Sequence, residues 1–408
     1  MNDILIKNSR IINPAGGVFE VLDLLVKGGK IAALGRGIEA GGAAKIIDGE
    51  GLWAAPGLID LHVHFREPGF EYKETIATGA AAAARGGFTT VCCMANTSPA
   101  IDSPELVKHV MSKAADVPVN ILQFGAATKG MLGEELSDME GMARAGAAGI
   151  SDDGKTVFNS ALYLEAVKMA QSLGLTMYSH CEDSFLGTSP LGEELIIARD
   201  IMLAETLGAK LHICHISTAK GLKLVTEART RGGKITCEAA PHHLILSEED
   251  IPEGNTNYKM SPPLRSKEDV LALREGLKKG YIDCIATDHA PHSPEDKSGG
   301  FAAAANGVIG LETAFPMCYT ELVKTGLITV MDLICLMSFN PAKILGKDKG
   351  TLSVGADGDI FLFDPESAFR IDAAQFASKG RNTPWHGQTV MGKVRMTICG
   401  GEIVYDSL

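Results

Sequence analysis

No Cys-x-x-Cys pair occurs in this chain, although it carries nine cysteines, at positions 92, 93, 181, 214, 237, 284, 318, 335 and 399. The count is odd, and several fall inside apolar, strand-like runs. That is the pattern of buried thiols in a reducing compartment; it argues against a disulfide framework and against a cysteine zinc site. No apolar run approaches the roughly 20 residues of a membrane span, and MNDILIKNSR has the make-up of neither a signal nor a transit peptide, so a cytoplasmic location is expected. Positive charge is scarce: 38 Lys and Arg face 50 Asp and Glu, a formal net charge of −12. Binding a phosphate backbone needs a basic surface, so neither nucleic acid nor membrane is expected as a partner. An anionic small molecule stays open, because one or two arginines in a cleft can hold a carboxylate. Internal repeats are absent, and the one low-complexity tract, Ala80–Ala84, is simply good helix.

What remains is a compact composition, 45% hydrophobic and 22% charged. A length of 408 residues accommodates a large α/β domain and a smaller one. Residues 1–55 read as short β-prone runs (ILIKNSRII, DLLVKGGKIAALG, KIIDGEGLWAAPG) separated by turns, and residues 346–408 read alike, with a hairpin signal in ICGGEIV. Neither end alone offers enough apolar strand, so the two are expected to pair into one small β-sandwich. Between them, residues 56–345 alternate apolar runs with helical stretches. Eight strands are predicted, at 57–63, 88–94, 119–125, 147–151, 175–180, 210–216, 234–239 and 283–288. That alternation predicts a (β/α)8 TIM-type barrel. A doubly wound sheet would need a Gly-rich phosphate turn after its first strand, and there is none.

Barrels of this kind gather their functional groups at the C-terminal ends of the strands. His62 and His64 end the first predicted strand, Asp152 and Asp153 follow the fourth, His180 ends the fifth, His215 lies near the end of the sixth, and Asp288 ends the eighth. In IDLHVHFREPG, alternation puts Asp60, His62 and His64 on one strand face, with Leu61 and Val63 on the other. Two residues of strand span about 6.5 Å, which lets both imidazoles reach one ion. Taken alone, the pair reads equally well as satisfied histidines in a half-buried strand. Four imidazoles, with one carboxylate from the fourth strand end and one from the eighth, suit Zn²⁺, Mn²⁺ or a similar ion. They exceed one tetrahedral site and fit two ions about 3.5–4 Å apart.

AAPGLIDLHVHFREPG, MANTSP (94–99), SDDG (151–154), SHCED (179–183), CHIST (214–218) and IATDHAPH (285–292) resemble, in order, the motif series of the class I dihydroorotases, cyclic-amide hydrolases of the amidohydrolase superfamily. GKIAALG, GTLSVGADGDI and NTPWHG extend the resemblance over nearly the whole chain. It implies reversible hydrolysis of dihydroorotate to N-carbamoyl-L-aspartate, a step of pyrimidine synthesis, with one or two Zn²⁺ per subunit. His62 and His64 would bind one metal and His180 and His215 the second. Asp153 would bridge the two, and Asp288 would be both ligand and catalytic base. Lys155, close by, keeps open a carboxylated-lysine bridge of the kind hydantoinases and allantoinases use. Arg66, Asn96 and His292 would hold the substrate carboxylate, with His64, Asn306 and Gly307 also lining the substrate site.

Two departures stand out. Where the family has an asparagine that contacts the dihydropyrimidine ring, YKMSPPLR has Ser261, which is shorter but still donates and accepts. The segment between SHCED and CHIST is also short, trimming the rim near the fifth strand. A homodimer and a complex with aspartate transcarbamoylase are the implied assemblies. The rival readings are another cyclic amidohydrolase and a catalytically inactive scaffold. His212 is expected to pack or to support another ligand, His242 and His243 to serve structure, and Asp60 to orient a ligand.

Overall fold

The computed structural model describes residues 3–39 and 45–408; the parts of the expected N-terminal segments at residues 1–2 and 40–44 lie outside them. Eight parallel strands neighbour one another in chain order: Leu58–Val63, Phe88–Cys93, Asn120–Gly125, Gly149–Ile150, Met177–Ser179, Leu211–Ile213, Ile235–Ala239 and Cys284–Ile285. The chain just past the eighth strand returns to the first: His289 bridges Val63 in parallel, and the His64 amide donates to the His289 carbonyl at 2.9 Å. The sheet is thus closed into the predicted barrel. Each strand falls inside its expected run, but the fourth and eighth keep only two paired residues because their ends are given over to site loops.

Helices cover the outside. Ile76–Arg85, Pro104–Ala114, Ser160–Ser172, Pro190–Leu207, Ala219–Thr230 and Lys267–Lys278 each start behind a side-chain cap, supplied by Thr75, Ser103, Asn159, Ser189, Thr218 and Ser266. Each such cap satisfies an orphan N–H and contributes about 1 kcal/mol. With helices outside and packed side chains inside, both faces of the strands are buried, which is why Leu58–Val63 and Phe88–Cys93 expose nothing.

The ends of the chain meet in a second sheet. Ile4–Asn13, Val18–Lys27, Lys30–Gly35, Lys45–Asp48 and Trp53–Pro56 join Ile360–Asp364, Lys393–Cys399 and Glu402–Asp406. Ile360–Asp364 runs antiparallel between Trp53–Pro56 and Lys393–Cys399, so one C-terminal strand fastens the other to the N-terminal segment. The expected sandwich is therefore one continuous hydrogen-bonded sheet with its own core, which includes Ile6, Ile11, Leu24, Ile360, Leu362 and Ile398. GTLSVG forms no strand; after an isolated bridge between Asp357 and Lys30, strand pairing begins at Ile360.

Candidate active site

His62, His64, Asp153, His180, His215 and Asp288, delivered by five barrel strands, meet at the C-terminal rim. Their convergence is centred on Asp153, which is buried. Its carboxylate lies 3.2 Å from His62 Nε2, 3.5 Å from His64 Nε2, 3.7 Å from His180 Nδ1 and 3.5 Å from His215 Nε2. His180 Nδ1 and His215 Nε2 are 3.0 Å apart, and Asp288 Oδ1 lies 3.0 Å from His64 Nε2 and 3.6 Å from His62 Nε2. Lys155, by contrast, is exposed.

The simple alternation expected of the first strand does not survive to its end. Its register against the second strand shifts between Asp60 and Val63. Leu61 consequently packs with Phe124 and Tyr178, whereas Val63 packs with Phe65 and the helices. Such irregularities re-aim side chains near active sites, and the His62 and His64 rings still converge, their centroids 5.2 Å apart. Asp60 ties this strand to the eighth: Oδ1 accepts from the His62 and Thr287 amides, both at 3.1 Å, and Oδ2 accepts from Thr287 Oγ1 at 2.6 Å. Burial pushes the Asp60 carboxyl up to about 7. Asp152 plays no part in the cluster; it accepts from the Ala127 and Thr128 amides and braces the neighbouring loop.

Three site residues, Arg66, His215 and Asp288, have left-handed backbone conformations, with φ of 62°, 33° and 48°. A non-glycine residue there costs on the order of 1–3 kcal/mol and persists where the surroundings over-determine it. The cost is concentrated at the positions where the chain must turn sharply off a strand.

The donor set fits a divalent cation. His62 Nε2 and Asp153 Oδ1 are buried without a hydrogen-bond partner. His62, His64 and Asp153 form one group of ligand atoms within 4.8 Å of one another, and Asp153, His180 and His215 form another. Nitrogen and oxygen donors of this kind suit zinc-like ions, and Asp153 belongs to both groups. Burial opposes charge on Asp153, but the surrounding imidazoles, His62 foremost, hold it well below the usual carboxylate range. Asp288 is likewise held low against burial, chiefly by its hydrogen bond with His64.

Each of three candidate ligands is oriented from behind. His64 Nδ1 meets Asn96 Oδ1 at 2.8 Å, His180 Nε2 meets Glu182 Oε2 at 3.1 Å, and His62 Nδ1 meets Glu238 Oε1 at 2.8 Å. Neither glutamate was singled out by the sequence reading. Glu238 closes the seventh strand in KITCEA, and the strand-end rule that found the histidines points to it too. Glu182 stands inside SHCED and holds Ser261 as well, whose hydroxyl donates to Oε2 at 2.5 Å. Ser261 is thus turned toward Glu182. His212 Nε2 meets Glu238 Oε2 at 3.1 Å, so of the two readings offered for it, support of another residue is the one its contacts match. His242 and His243 are buried beside the site, where burial lowers His242 to about 4.

Next to the cluster lies a cavity of about 450 Å³, whose lining includes Arg66, Asn96, Ser261, His292, Asn306 and Gly307. His292 Nε2 donates to the Asn306 carbonyl at 2.8 Å, which leaves Nδ1 to accept from Lys73 Nζ at 3.3 Å. Burial, then Arg66 and Lys73, push this imidazole down to about 3. Arg66 Nη2 stands 3.4 Å from the same ring, and its Nε donates to the Pro291 carbonyl at 3.3 Å. Asn96 gives its carbonyl to His64, so its amide N–H groups are what remain for a ligand. The Gly307 amide donates to the Lys259 carbonyl, and its own carbonyl accepts from Lys297 and Asn382. A second cavity, of about 520 Å³, lies at the opposite end of the barrel among Lys210, Arg229, Lys234 and Lys343, away from these side chains.

Residues 53–404 match the model of the family described as "Amidohydrolase family". The chain belongs to the amidohydrolase family. This amidohydrolase is 44% identical to a protein named dihydroorotase from Geobacter sp. (strain M21), over 99% of the present chain and 100% of that relative. A dihydroorotase of Pelotomaculum thermopropionicum is 45% identical, covering 98% of both chains, and one of Clostridioides difficile is 44% identical over 99% and 100%. Among solved structures, the L-hydantoinase of Arthrobacter aurescens superposes with a TM-score of 0.90 at 27% identity, covering 100% of this chain and 97% of that one.

Proposed function

We propose that this amidohydrolase is a dihydroorotase, opening the ring of (S)-dihydroorotate to N-carbamoyl-L-aspartate and closing it again. The observation that carries the reading is the pairing of two features in one cavity: Asp153 within 3.2–3.7 Å of four imidazoles, and a cationic wall made by Arg66 beside His292. Full-length relatives named dihydroorotase support it. The catalytic role falls to the barrel, residues 56–345, and the supporting role to segments 1–55 and 346–408.

His62 and His64 would hold one Zn²⁺ and His180 and His215 a second, with Asp153 shared and Asp288 adjoining. When bound, the cation supplies Lewis acidity toward water and toward the scissile carbonyl oxygen. Arg66 takes the substrate carboxylate through its fork of N–H donors, and the Asn96 amide supports it. His292, neutral and committed to Asn306 and Lys73, shapes the wall beside the guanidinium. Asp288 is an anion placed to take the proton of the attacking water. The C–N bond of the ring then breaks, and Asp288 returns that proton to the leaving nitrogen, so hydrolysis consumes one water and leaves the aspartate unchanged.

A hydantoinase reading has the structural likeness in its favour. Hydantoin carries no carboxylate, however, and would bring no anion to the Arg66 guanidinium. Purified protein supplied with Zn²⁺ and offered dihydroorotate, hydantoin and allantoin side by side separates the two. Turnover of dihydroorotate alone is expected; preference for either uncharged ring sinks the assignment.

Seven buried free thiols support a cytoplasmic setting. Leu191, Leu195 and Met202 are exposed on one helix, which supports a homodimer; an aspartate transcarbamoylase partner is the further assembly to test.

A further inference from the structure

Among the buried polar clusters that the mechanism above leaves unused, one stands directly behind a candidate metal ligand. Glu238 is 1% exposed and His212 fully buried, both inside the barrel behind the candidate metal ligands. Burying a carboxylate is expensive unless each of its oxygens has a donor. Here Oε1 faces His62 Nδ1 at 2.8 Å and the His215 amide at 3.4 Å, and Oε2 faces His212 Nε2 at 3.1 Å. His212 Nδ1 stands 2.8 Å from Thr236 Oγ1, a hydroxyl that can donate to it. The pattern is self-consistent with one proton arrangement. Thr236 O–H donates to His212 Nδ1, His212 Nε2–H donates to Glu238, and His62 Nδ1–H donates to the other oxygen of the same carboxylate.

We infer that Glu238, held by His212, is a positioning residue that keeps His62 in the tautomer whose Nε2 lone pair faces the metal position and adds a negative charge behind that ligand. The geometry of the two ring nitrogens argues for it. With Nδ1 committed to Glu238, Nε2 is left bare, and Nε2 is the buried atom without a hydrogen-bond partner, 3.2 Å from Asp153. A carboxylate behind an imidazole fixes ring orientation and raises ligand basicity, and loss of such a partner costs about 10- to 100-fold in metal affinity or activity. Neither His212 nor Glu238 lines the substrate cavity, so the pair acts through the ligands it touches, His62 by its ring and His215 by its backbone amide. It follows that their removal affects metal retention and kcat and leaves KM for substrate nearly unchanged.

The inference rests on the reading of His62 as a metal ligand, and zinc binding tests the two separately. Zinc affinity of the full-length protein is measured by competition with a chromogenic chelator, without substrate. Wild-type protein that takes up no zinc refutes the metal reading, whereas the comparisons with variants address Glu238. Glu238→Gln keeps the size but removes the charge; about 10- to 100-fold weaker zinc binding is expected, with kcat at saturating zinc reduced and KM unchanged. His212→Gln retains an N–H donor at a similar reach and is expected to stay near wild type, whereas His212→Leu loses the donor and is expected to fall in the direction of Glu238→Gln. Unaltered zinc affinity in Glu238→Gln, or equal losses in His212→Gln and His212→Leu, overturns the proposal. Should the variants fail to fold, ¹⁵N spectra of the histidines in zinc-loaded wild-type protein decide: a protonated Nδ1 on His62 upholds it, and a bare Nδ1 overturns it.

Discussion

Asp288 and Arg66 lie 222 residues apart in sequence and line one cavity, and the tests of their proposed roles differ in kind. Asp288→Asn keeps the shape and removes the base, so turnover should fall by about 10²- to 10⁴-fold while the circular dichroism spectrum stays that of the wild type; retained activity would remove Asp288 from the mechanism. Arg66→Lys keeps charge but loses the planar fork, and KM for dihydroorotate should rise by about 10- to 100-fold, as expected for a charge-assisted hydrogen bond of roughly 1.5–3 kcal/mol. A KM that does not move means the carboxylate is held elsewhere. His292 provides the pH test. Its native imidazole is pushed down to about 3, against an ordinary value near 6.5. Between those values the unfolded chain binds a proton that the native ring refuses, so this residue's contribution to stability is lost as pH falls from about 6.5 towards 3. Urea midpoints measured over that window should decline less steeply in His292→Asn than in wild type.

At the scale of elements, existence was legible and ends were not. Runs of largely apolar residues bounded by helical stretches located all eight barrel strands, because burial on both faces makes such strands nearly continuous in hydrophobicity. The strand ends escaped it. The register shift between Asp60 and Val63, and the left-handed turns at Arg66, His215 and Asp288, arise from contacts with other strands that no local pattern encodes. Gly307 illustrates the same point. Its φ of 135° disfavours any side chain, and an added Cβ would stand 2.7 Å from Ala290 Cβ and 3.1 Å from His292 Nε2. Gly307→Ala should therefore destabilise the protein by about 1–3 kcal/mol and raise KM by displacing His292, read from a urea midpoint and steady-state rates.

At the scale of the whole molecule, the two ends of the chain are one structural unit. Ile360–Asp364 is paired on both sides, and Lys393–Cys399 contributes Met396 and Ile398 to the shared core. Deleting residues 393–408 should expose that core and abolish a single cooperative thermal transition, monitored by circular dichroism; an unchanged transition would show that the terminal strands are dispensable. Residue types and spacing pointed to the barrel, to the pairing of the ends and to the His and Asp side chains at the strand ends, since hydrophobic periodicity and the strand-end rule are both local properties of a chain, and the resemblance to the dihydroorotases singled out six of those side chains as ligands. What the tertiary structure decided is which side chains stand behind others. Only there does Asn96 turn out to hold His64, Glu182 to engage both His180 and Ser261, and Glu238 to sit between His62 and His212. A carboxylate's partner is set by where barrel closure brings distant strands together, and a distance of a few ångströms across the barrel leaves no trace in the order of residues along it.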